Sequence, residues 1–243
     1  PCDESNLAVK AARLLQEKFP HRKDLGARIR LVKRIPAGGG LGGGSGNAAG
    51  VLLGLNVLWE LRLKKEELLF LAGKLGSDVP FFLFAPSALG KGRGEILVPV
   101  QPSGKFSVIL VSPKFPIATS WVYQSLKLEL TKRENHINLL QKFYSHSDIE
   151  GLGTHLYNDL EPVVLQRYPV IQTLKDELRF SGALGSLLSG SGSTVFGIFT
   201  DTKTARVAHA RLSKKESWDL FLTETIDSLA DLFPEEMLKY PSN

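Results

Sequence analysis

The residues best suited to chemistry are a run of glycines followed by a serine, within Pro36–Gly50 (PAGGGLGGGSGNAAG). Six of the seven residues from 38 to 44 are glycine, and ordering so much glycine costs entropy that another interaction must offset. Glycine lets a backbone approach an anion closely and direct several N–H groups at it. A helix starting near Asn47 would add the positive end of its dipole. With the hydroxyl of Ser45 as a further donor, the stretch predicts a phosphate-binding loop.

Two other interpretations of this stretch fail on its context. A flexible linker is flanked by polar sequence, whereas here a segment with alternating apolar residues precedes the glycines and an apolar helix follows them. Gly38, Gly40 and Gly43 satisfy G-x-G-x-x-G, but a dinucleotide fingerprint also needs a following strand that ends in an acidic residue about 20 residues on. A second helix is predicted there instead, so the dinucleotide interpretation is rejected.

The basic residues near the glycines lie before them, at Lys33 and Arg34. The stretch is not a Walker A loop, because no Gly-Lys-Ser or Gly-Lys-Thr follows it. Lys33 and Arg34 could contact a nucleotide or its phosphates, or they could simply keep the edge of a strand in water. The residues alone leave both roles open.

Two further short segments could contribute to a reaction. Asp78 follows the end of a predicted helix and precedes Val79-Pro80, where proline favours extended backbone. Its carboxylate could accept the proton of a hydroxyl during phosphoryl transfer, or it could cap a turn. Ser189–Ser193 (SGSGS) predicts a loop of small residues before a strand, which could be a tight turn or a second ligand-binding loop.

The elements that position these residues follow from hydrophobic periodicity, which predicts a mixture of helices and strands and therefore an α+β fold. Helices are predicted over 6–19, 47–61, 64–75, 120–126, 160–178 and 204–213, the fifth interrupted by Pro162 and Pro169. Strands are predicted over 27–35, 81–84, 95–100, 106–111, 194–199 and 218–223, with a turn over 90–94. A change of pattern between 95 and 105 indicates a domain boundary.

Composition limits the classes of protein and ligand. With 243 residues, 43% of them hydrophobic and 23% charged, the chain is typical of a globular protein of one or two domains. The net charge of +5 is spread over short runs without interleaved aromatics, which favours an anionic small molecule over nucleic acid. No apolar run approaches the ~20 residues of a membrane span, so no membrane partner is expected.

The numbers and positions of cysteine and histidine indicate the redox state of the compartment and whether a metal site is expected. Cys2 is the only cysteine, so no disulfide can form within the chain, and the five histidines lack the spacing of metal ligands. A reducing compartment is expected, with the cytoplasm as the location. Because the sequence opens at Pro1 in what resembles the middle of a domain, the natural N-terminus is expected upstream, and a plastid location stays open.

Several stretches resemble one known family. Pro36–Ala49 resembles the second motif of the GHMP kinases, small-molecule kinases related to galactokinase, homoserine kinase and mevalonate kinase. The stretches LGSDVPFFL (75–83), NDLEP (158–162) and SGSGSTVFGIF (189–199) resemble one branch of that family, and NLAVKAARLL (6–15) fits the same branch. These matches lie in order along most of the chain.

The resemblance implies a fold and a reaction. The fold would be that of a GHMP kinase, with a ribosomal protein S5 domain 2-like N-terminal domain over 1–95, incomplete at its N-terminus. A ferredoxin-like C-terminal domain would span 96–243, with the active site between the two. The reaction would transfer the γ-phosphate of ATP, with Mg²⁺, to the 2-hydroxyl of a cytidine-diphosphate-linked methylerythritol in the non-mevalonate isoprenoid pathway.

The resemblance also implies site residues. Asp78 matches the catalytic aspartate, and Lys33 would lie near the adenine. The implied ATP-binding residues are Lys33, Pro36, Ala37, Gly38, Gly39, Gly40, Leu41, Gly42, Gly43, Gly44, Ser45 and Gly46. The implied substrate-binding residues are Tyr157, Ser189, Gly190, Ser191 and Gly192, where Tyr157 could stack on the cytidine or could belong to the core. No residue is assigned as a metal ligand.

The sequence departs from the family pattern in two places. Gly46 stands where the family usually has a second serine, which removes one hydroxyl that could meet a phosphate or Mg²⁺. The family's opening strand, Pro-Ala-Lys-x-Asn-Leu, has no match from Pro1 onward, and its lysine works with the aspartate. Two alternatives therefore stay open: a GHMP-type kinase for another alcohol, and a non-catalytic ATP-binding fragment or paralogue.

Overall fold

The computed structural model describes residues 3–92, 94, 96–101, 104–126, 134–215 and 217–239. The chain divides into two compact units. The first unit comprises Pro1–Arg34, Gly42–Gln101 and Ile226–Asn243, and the second comprises Ile35–Leu41 and Pro102–Thr225. The glycine stretch is therefore shared, because its residues up to Leu41 belong to the second unit and those from Gly42 onward to the first.

Helices and strands alternate irregularly along the chain. The helices are α1 (Leu7–Lys18), α2 (Gly43–Leu58), α3 (Lys65–Leu75), α4 (Phe81–Phe84), α5 (Thr119–Ser125), α6 (Glu134–Ser145), α7 (Ile149–Thr154), α8 (Glu161–Arg167), α9 (Val170–Phe180), α10 (Thr202–Leu212) and α11 (Glu235–Leu238), with a 3₁₀ turn at Leu229–Asp231. The strands are β1 (Ala88–Lys91), β2 (Ile96–Pro99), β3 (Ser107–Pro113), β4 (Gly185–Leu188), β5 (Val195–Phe199) and β6 (Trp218–Glu224). The predicted α+β class is confirmed.

The first unit is built around α1, α2 and α3. Helix α1 begins where predicted, because the side chain of Asn6 accepts a hydrogen bond from the N–H of Ala8 (3.0 Å). Helix α2 is apolar on most of its surface, and its Leu52 and Leu53 are fully buried against α1 and α3. A two-stranded antiparallel hairpin, β1–β2, follows α4. The helical core thus fixes both ends of α2, including the glycines at its start.

The second unit contains a four-stranded antiparallel sheet in the order β4-β5-β3-β6. Strand β3 is central, with Ile109 opposite Gly197 of β5 and Leu222 of β6. Helix α9 packs its buried Leu174 and Leu178 against β4 and β5. This sheet positions the Ser189–Ser193 segment, which connects β4 to β5.

Two predicted strands are wrong. Residues 27–35 form neither helix nor strand, and Ile29, Val32 and Ile35 expose 36%, 67% and 49% of their surface. An alternating pattern can fold as a strand only beside a partner for its backbone, and no strand in the described ranges pairs with this segment. Residues 81–84 form α4 instead of a strand, because a four-residue apolar run fits either structure and Pro80, the N-cap residue, already has helical geometry (φ −57°, ψ −34°).

Other predicted elements differ in their bounds. Helix α2 starts at Gly43, four residues before the predicted start at Asn47. Strands β1 and β4 and helices α6, α7 and α11 were not predicted. Parts of three predictions lie outside the described residues, at Cys2, at Arg93 of the predicted turn, and at Glu95 of the predicted strand. Within the described ranges, each helix is too short or too polar to cross a membrane.

Candidate active site

The first half of the glycine stretch is bound to the Ser189–Ser193 segment within the second unit. The carbonyl of Gly39 accepts from the N–H of Thr194 (3.2 Å), and the carbonyl of Gly40 accepts from the hydroxyl of Ser189 (2.9 Å). Gly40 has φ +75°, and a Cβ there would lie 2.1 Å from the carbonyl oxygen of Ser189. Only glycine fits this position. Because the carbonyls are engaged by protein, the opposite side of this backbone presents N–H groups.

The second half of the stretch begins α2 in the first unit. Gly42 is the N-cap (φ +63°) and provides no side chain to cap the helix, whose first turn contains no acidic residue. The N–H groups of Gly43, Gly44 and Ser45 have no acceptor among the described residues, and all three residues are half-buried. Uncapped N–H groups at the positive end of a 16-residue helix could bind an anion.

These features fit phosphate. The stretch offers backbone donors, and its six glycines between residues 38 and 44 have no Cβ atom that would hold an anion away from them. The structure describes no group of three His, Cys, Asp or Glu side chains that could hold a metal ion by themselves.

Asp78 lies exposed on a turn that follows α3. Its Oδ1 accepts from the hydroxyl of Ser77 (3.3 Å). Residues 77–80 form a turn instead of the extended backbone that Val79-Pro80 suggested, and the N–H of Val79 donates to the carbonyl of Gly76 (3.2 Å). Val79 is fully buried, so the turn is anchored while the carboxylate stays in solvent.

The ring of Phe82 connects this turn to the glycines within the first unit. A Cβ on Gly42 would lie 2.9 Å from the Cζ atom of Phe82, and a Cβ on Gly46 would lie 3.4 Å from the edge of the same ring. Since Phe82 follows the Asp78 turn by only one residue of α4, the position of the turn and the start of α2 are set by the same packing.

Lys33 lies in the exposed segment that forms no strand. Lys33 therefore does not lie at the edge of a strand, which was one of the two roles that the sequence left open. Its proposed place near an adenine stays a prediction.

The Ser189–Ser193 segment closes on itself as a tight loop. The N–H of Ser189 donates to the carbonyl of Thr194, and the N–H of Gly192 donates to the carbonyl of Ser189, both at 2.9 Å. The hydroxyl of Ser191 lies 2.9 Å from that of Thr119. The N–H groups of Gly190 and Ser191 have no acceptor in the described part of the chain, although Ser191 is only 7% exposed. A ligand anion could supply that acceptor.

Tyr157 is 41% exposed, so it is not a core residue. Its hydroxyl donates to Oδ1 of Asp159 (3.1 Å), and its ring meets the His136 ring edge to face, with the centroids 5.8 Å apart. An exposed ring held from two sides could stack on a flat ligand. Sequence reasoning missed His136, because the helix that contains it, α6, was not predicted.

Two residues of the NDLEP stretch reach the loop, and sequence reasoning gave them no role. The side chain of Asn158 donates to the carbonyls of Leu188 and Gly190 (3.0 and 2.8 Å). The carboxylate of Glu161 accepts from the N–H of Leu188 (2.8 Å). The only signal in the sequence is a polar pair three residues apart at the start of a helix.

Comparison with known proteins places the chain in a class. Residues 6–85 match the family model of the GHMP kinases N terminal domain, and residues 138–217 match that of the GHMP kinases C terminal. The solved structure of homoserine kinase from Cytophaga hutchinsonii superposes with a TM-score of 0.73 at 18% identity, covering 94% of this chain and 78% of that one, which shows a shared fold. The chain belongs to the GHMP kinase family.

Within that family, more similar proteins share one name. The 4-diphosphocytidyl-2-C-methyl-D-erythritol kinase of Geobacter sp. (strain M21) is 42% identical over 226 residues, which cover 93% of this chain and 78% of the relative. A solved structure of 4-(cytidine 5'-diphospho)-2C-methyl-D-erythritol kinase has a TM-score of 0.80 at 32% identity, covering 92% of this chain and 79% of that one. The resemblance seen in the sequence is confirmed, and the family implies ATP as the phosphate donor.

Proposed function

We propose that this chain is an ATP-dependent kinase that phosphorylates the 2-hydroxyl of 4-diphosphocytidyl-2-C-methyl-D-erythritol, in the non-mevalonate route to isoprenoids. The observation that carries this proposal is the 42% identity, over 93% of the chain, to a relative of that name. A kinase for another alcohol and a non-catalytic nucleotide-binding paralogue are not favoured, because the relative at 42% identity and the solved structure at 32% identity both have the name of the cytidylyl kinase.

The glycine stretch is proposed to hold the phosphates of ATP. The donors would be the N–H groups of Gly43, Gly44 and Ser45 at the start of α2, together with those of residues 37–42 before it. The uncapped helix start and the free N–H groups support this assignment. Lys33 is proposed to lie near the adenine. Mg²⁺, when bound, would neutralise charge on the phosphate oxygens.

Asp78 is proposed to accept the proton of the substrate hydroxyl. The substrate oxygen would form a bond to the γ-phosphorus, the bond from that phosphorus to the β–γ bridging oxygen would break, and the proton would pass to the carboxylate. An exposed carboxylate on an anchored turn is available to a ligand, which supports the role.

The Ser189–Ser193 loop and Tyr157 are proposed to bind the substrate. Free N–H groups at Gly190 and Ser191 suit an anionic group, and the exposed ring of Tyr157 suits the cytosine.

We also propose a domain division at residues 95 and 96. A cytoplasmic location is proposed because the only cysteine, Cys2, excludes an internal disulfide and suits a reducing compartment.

The test is ADP release from ATP with the cytidine-diphosphate-linked substrate, compared with homoserine and mevalonate. In Asp78→Asn we expect kcat to fall by about 10²–10⁴, the usual share of a general base, while ATP affinity by calorimetry stays within twofold. Asp24→Asn is the matched control, because Asp24 is another exposed aspartate of the first unit and its carboxylate pairs with Arg22. Turnover of homoserine or mevalonate without turnover of the cytidylyl substrate would overturn the proposal. Full activity of Asp78→Asn would remove Asp78 as the base.

A further inference from the structure

We propose that Asn158 is a positioning residue, which aims the backbone N–H groups of the Ser189–Ser193 loop at the ligand by holding the carbonyls on their far side. This inference rests on the proposed function, because Asn158 contacts the loop and would act on the substrate only through it.

The contacts of Asn158 use its whole amide. Both hydrogens of Nδ2 are donated, to the carbonyls of Leu188 (3.0 Å) and Gly190 (2.8 Å). Its Oδ1 accepts from the N–H of Leu160 (2.9 Å). The two carbonyls demand a donor and the N–H demands an acceptor, so the orientation of the amide is unambiguous. No other side chain of similar size offers two donors and one acceptor in this arrangement.

These bonds determine the direction of the loop's N–H groups. In a trans peptide the C=O and the following N–H point in opposite directions. The carbonyl of Leu188 faces Asn158, and the N–H of Ser189 correspondingly faces away and donates to Thr194. By the same geometry, the carbonyl of Gly190 faces Asn158 and the N–H of Ser191 faces away, where it meets no acceptor among the described residues. The bond to the Leu188 carbonyl therefore accompanies the Ser189 N–H that closes the loop. The bond to the Gly190 carbonyl leaves the Ser191 N–H available to a ligand.

Glu161 anchors the base of the same loop by a separate interaction. Its Oε2 accepts from the N–H of Leu188 (2.8 Å), and its Oε1 pairs with Nζ of Lys175. Glu161 and Lys175 are both more than nine-tenths buried, at 8% and 7% exposure. Either charge without its partner would therefore lower the stability of the fold. The backbone of Leu188 is thus held through both its N–H and its C=O. Of these two side chains, Glu161 holds only the base of the loop, whereas Asn158 also reaches into the loop, at Gly190.

The experiment replaces the donor and keeps the shape, with Asn158→Asp. A carboxylate still accepts from Leu160 but cannot donate to either carbonyl, and it repels both. Because a misplaced group near the reacting atoms costs about 10²-fold, we expect kcat to fall ~100-fold while KM for ATP changes less than twofold. Asn138→Asp, an exposed site on α6 of the same unit, adds the same charge and should leave kcat unchanged.

A second readout does not depend on activity. Hydrogen exchange, measured by mass spectrometry on peptides covering 185–199, should show faster exchange of the Ser189 and Gly192 amides in Asn158→Asp. A folded Asn158→Asp protein with wild-type kcat, or with unchanged exchange in this segment, would overturn the proposal. If the wild-type chain does not phosphorylate the cytidylyl substrate, the proposed function fails, and the exchange result alone decides whether Asn158 positions the loop.

Discussion

At the scale of single residues, glycines within one short stretch are needed for different reasons. A Cβ on Gly40 would lie 2.1 Å from the carbonyl oxygen of Ser189, and its φ is +75°. Gly46 lies inside α2, and a Cβ there would meet only the edge of Phe82 at 3.4 Å, an ordinary contact distance. The departure from the family pattern at Gly46 is therefore not imposed by space.

We expect Gly40→Ala and Gly46→Ala to have opposite effects. The first should lower stability by at least about 1–3 kcal/mol, because a non-glycine residue at positive φ is strained and its Cβ meets a carbonyl. It should also weaken ATP binding. The second should raise stability by up to about 1 kcal/mol, since alanine favours a helix more than glycine does. Thermal unfolding and calorimetric titration with ATP measure both. Equal Tm values for the two variants would contradict the close approach at Gly40.

At the scale of elements, α3 is fixed at its start by the side chain of Glu67, which caps a backbone N–H. The carboxylate of Glu67 accepts from the N–H of Lys64 (3.1 Å) and pairs with Nζ of Lys18 on α1 (3.2 Å). The pKa of Glu67 lies below its usual range, mainly because the Lys64 N–H donates to it and further because Lys18 is near. The helix that leads to the Asp78 turn is thus tied to α1.

We expect Glu67→Ala to lower the free energy of unfolding by about 0.5–1 kcal/mol at pH 7, through the lost cap. A lowered folded pKa means that the unfolded state binds the proton more readily. The stabilisation is therefore complete above the unfolded pKa of about 4.3 and disappears as pH falls through the folded value. Urea unfolding from pH 7 to pH 3 should show the two proteins converging below about pH 4.

Glu66→Ala is the control for that prediction, because Glu66 is an exposed carboxylate in the same first turn. It removes the same charge near the helix start without removing a bond to Lys64. A loss of stability equal to that of Glu67→Ala would show that the helix dipole, and not the cap, explains the effect.

Elements with local signals were predicted well from sequence, and those that depend on distant partners were not. Helix α1 has a capping residue at Asn6, and α3 is followed by Gly76 as its C-cap, so both were predicted to within a residue at each end. The segment 27–35 has a strand pattern but no pairing strand in the described ranges, and a single sequence does not report pairing. The role inferred for Asn158 depends on carbonyls 30 and 32 residues away, which no local pattern reveals.

At the scale of the whole molecule, the net charge of +5 bears on ligands that carry phosphates. ATP and the proposed cytidylyl substrate are both anions, and a positive protein attracts them over distances set by the salt concentration. The charge is a property of the chain as a whole, because the basic residues occur in short runs such as Lys64-Lys65 and Lys214-Lys215.

We expect kcat/KM to fall several-fold as ionic strength rises from about 0.01 to about 0.15 M, where the Debye length shortens from roughly 30 to roughly 8 Å. The change should lie in KM, with kcat nearly constant, since salt screens the approach of the anions. Tm measured over the same range separates this effect from a loss of folded protein. A constant KM would show that the net charge does not assist binding.

The bonds from Ser189 and Thr194 to Gly40 and Gly39 also limit how the chain can be re-engineered. The partners of the first bond lie 149 positions apart in sequence, yet each loop uses the other's backbone as part of its own structure. A chimaera that takes one loop from a homologue would have to take its counterpart as well. Directed evolution towards a new acceptor alcohol should therefore vary residues 37–41 and 189–194 in one library. A variant of one loop alone would have to form its hydrogen bonds with an unchanged partner loop that does not fit it.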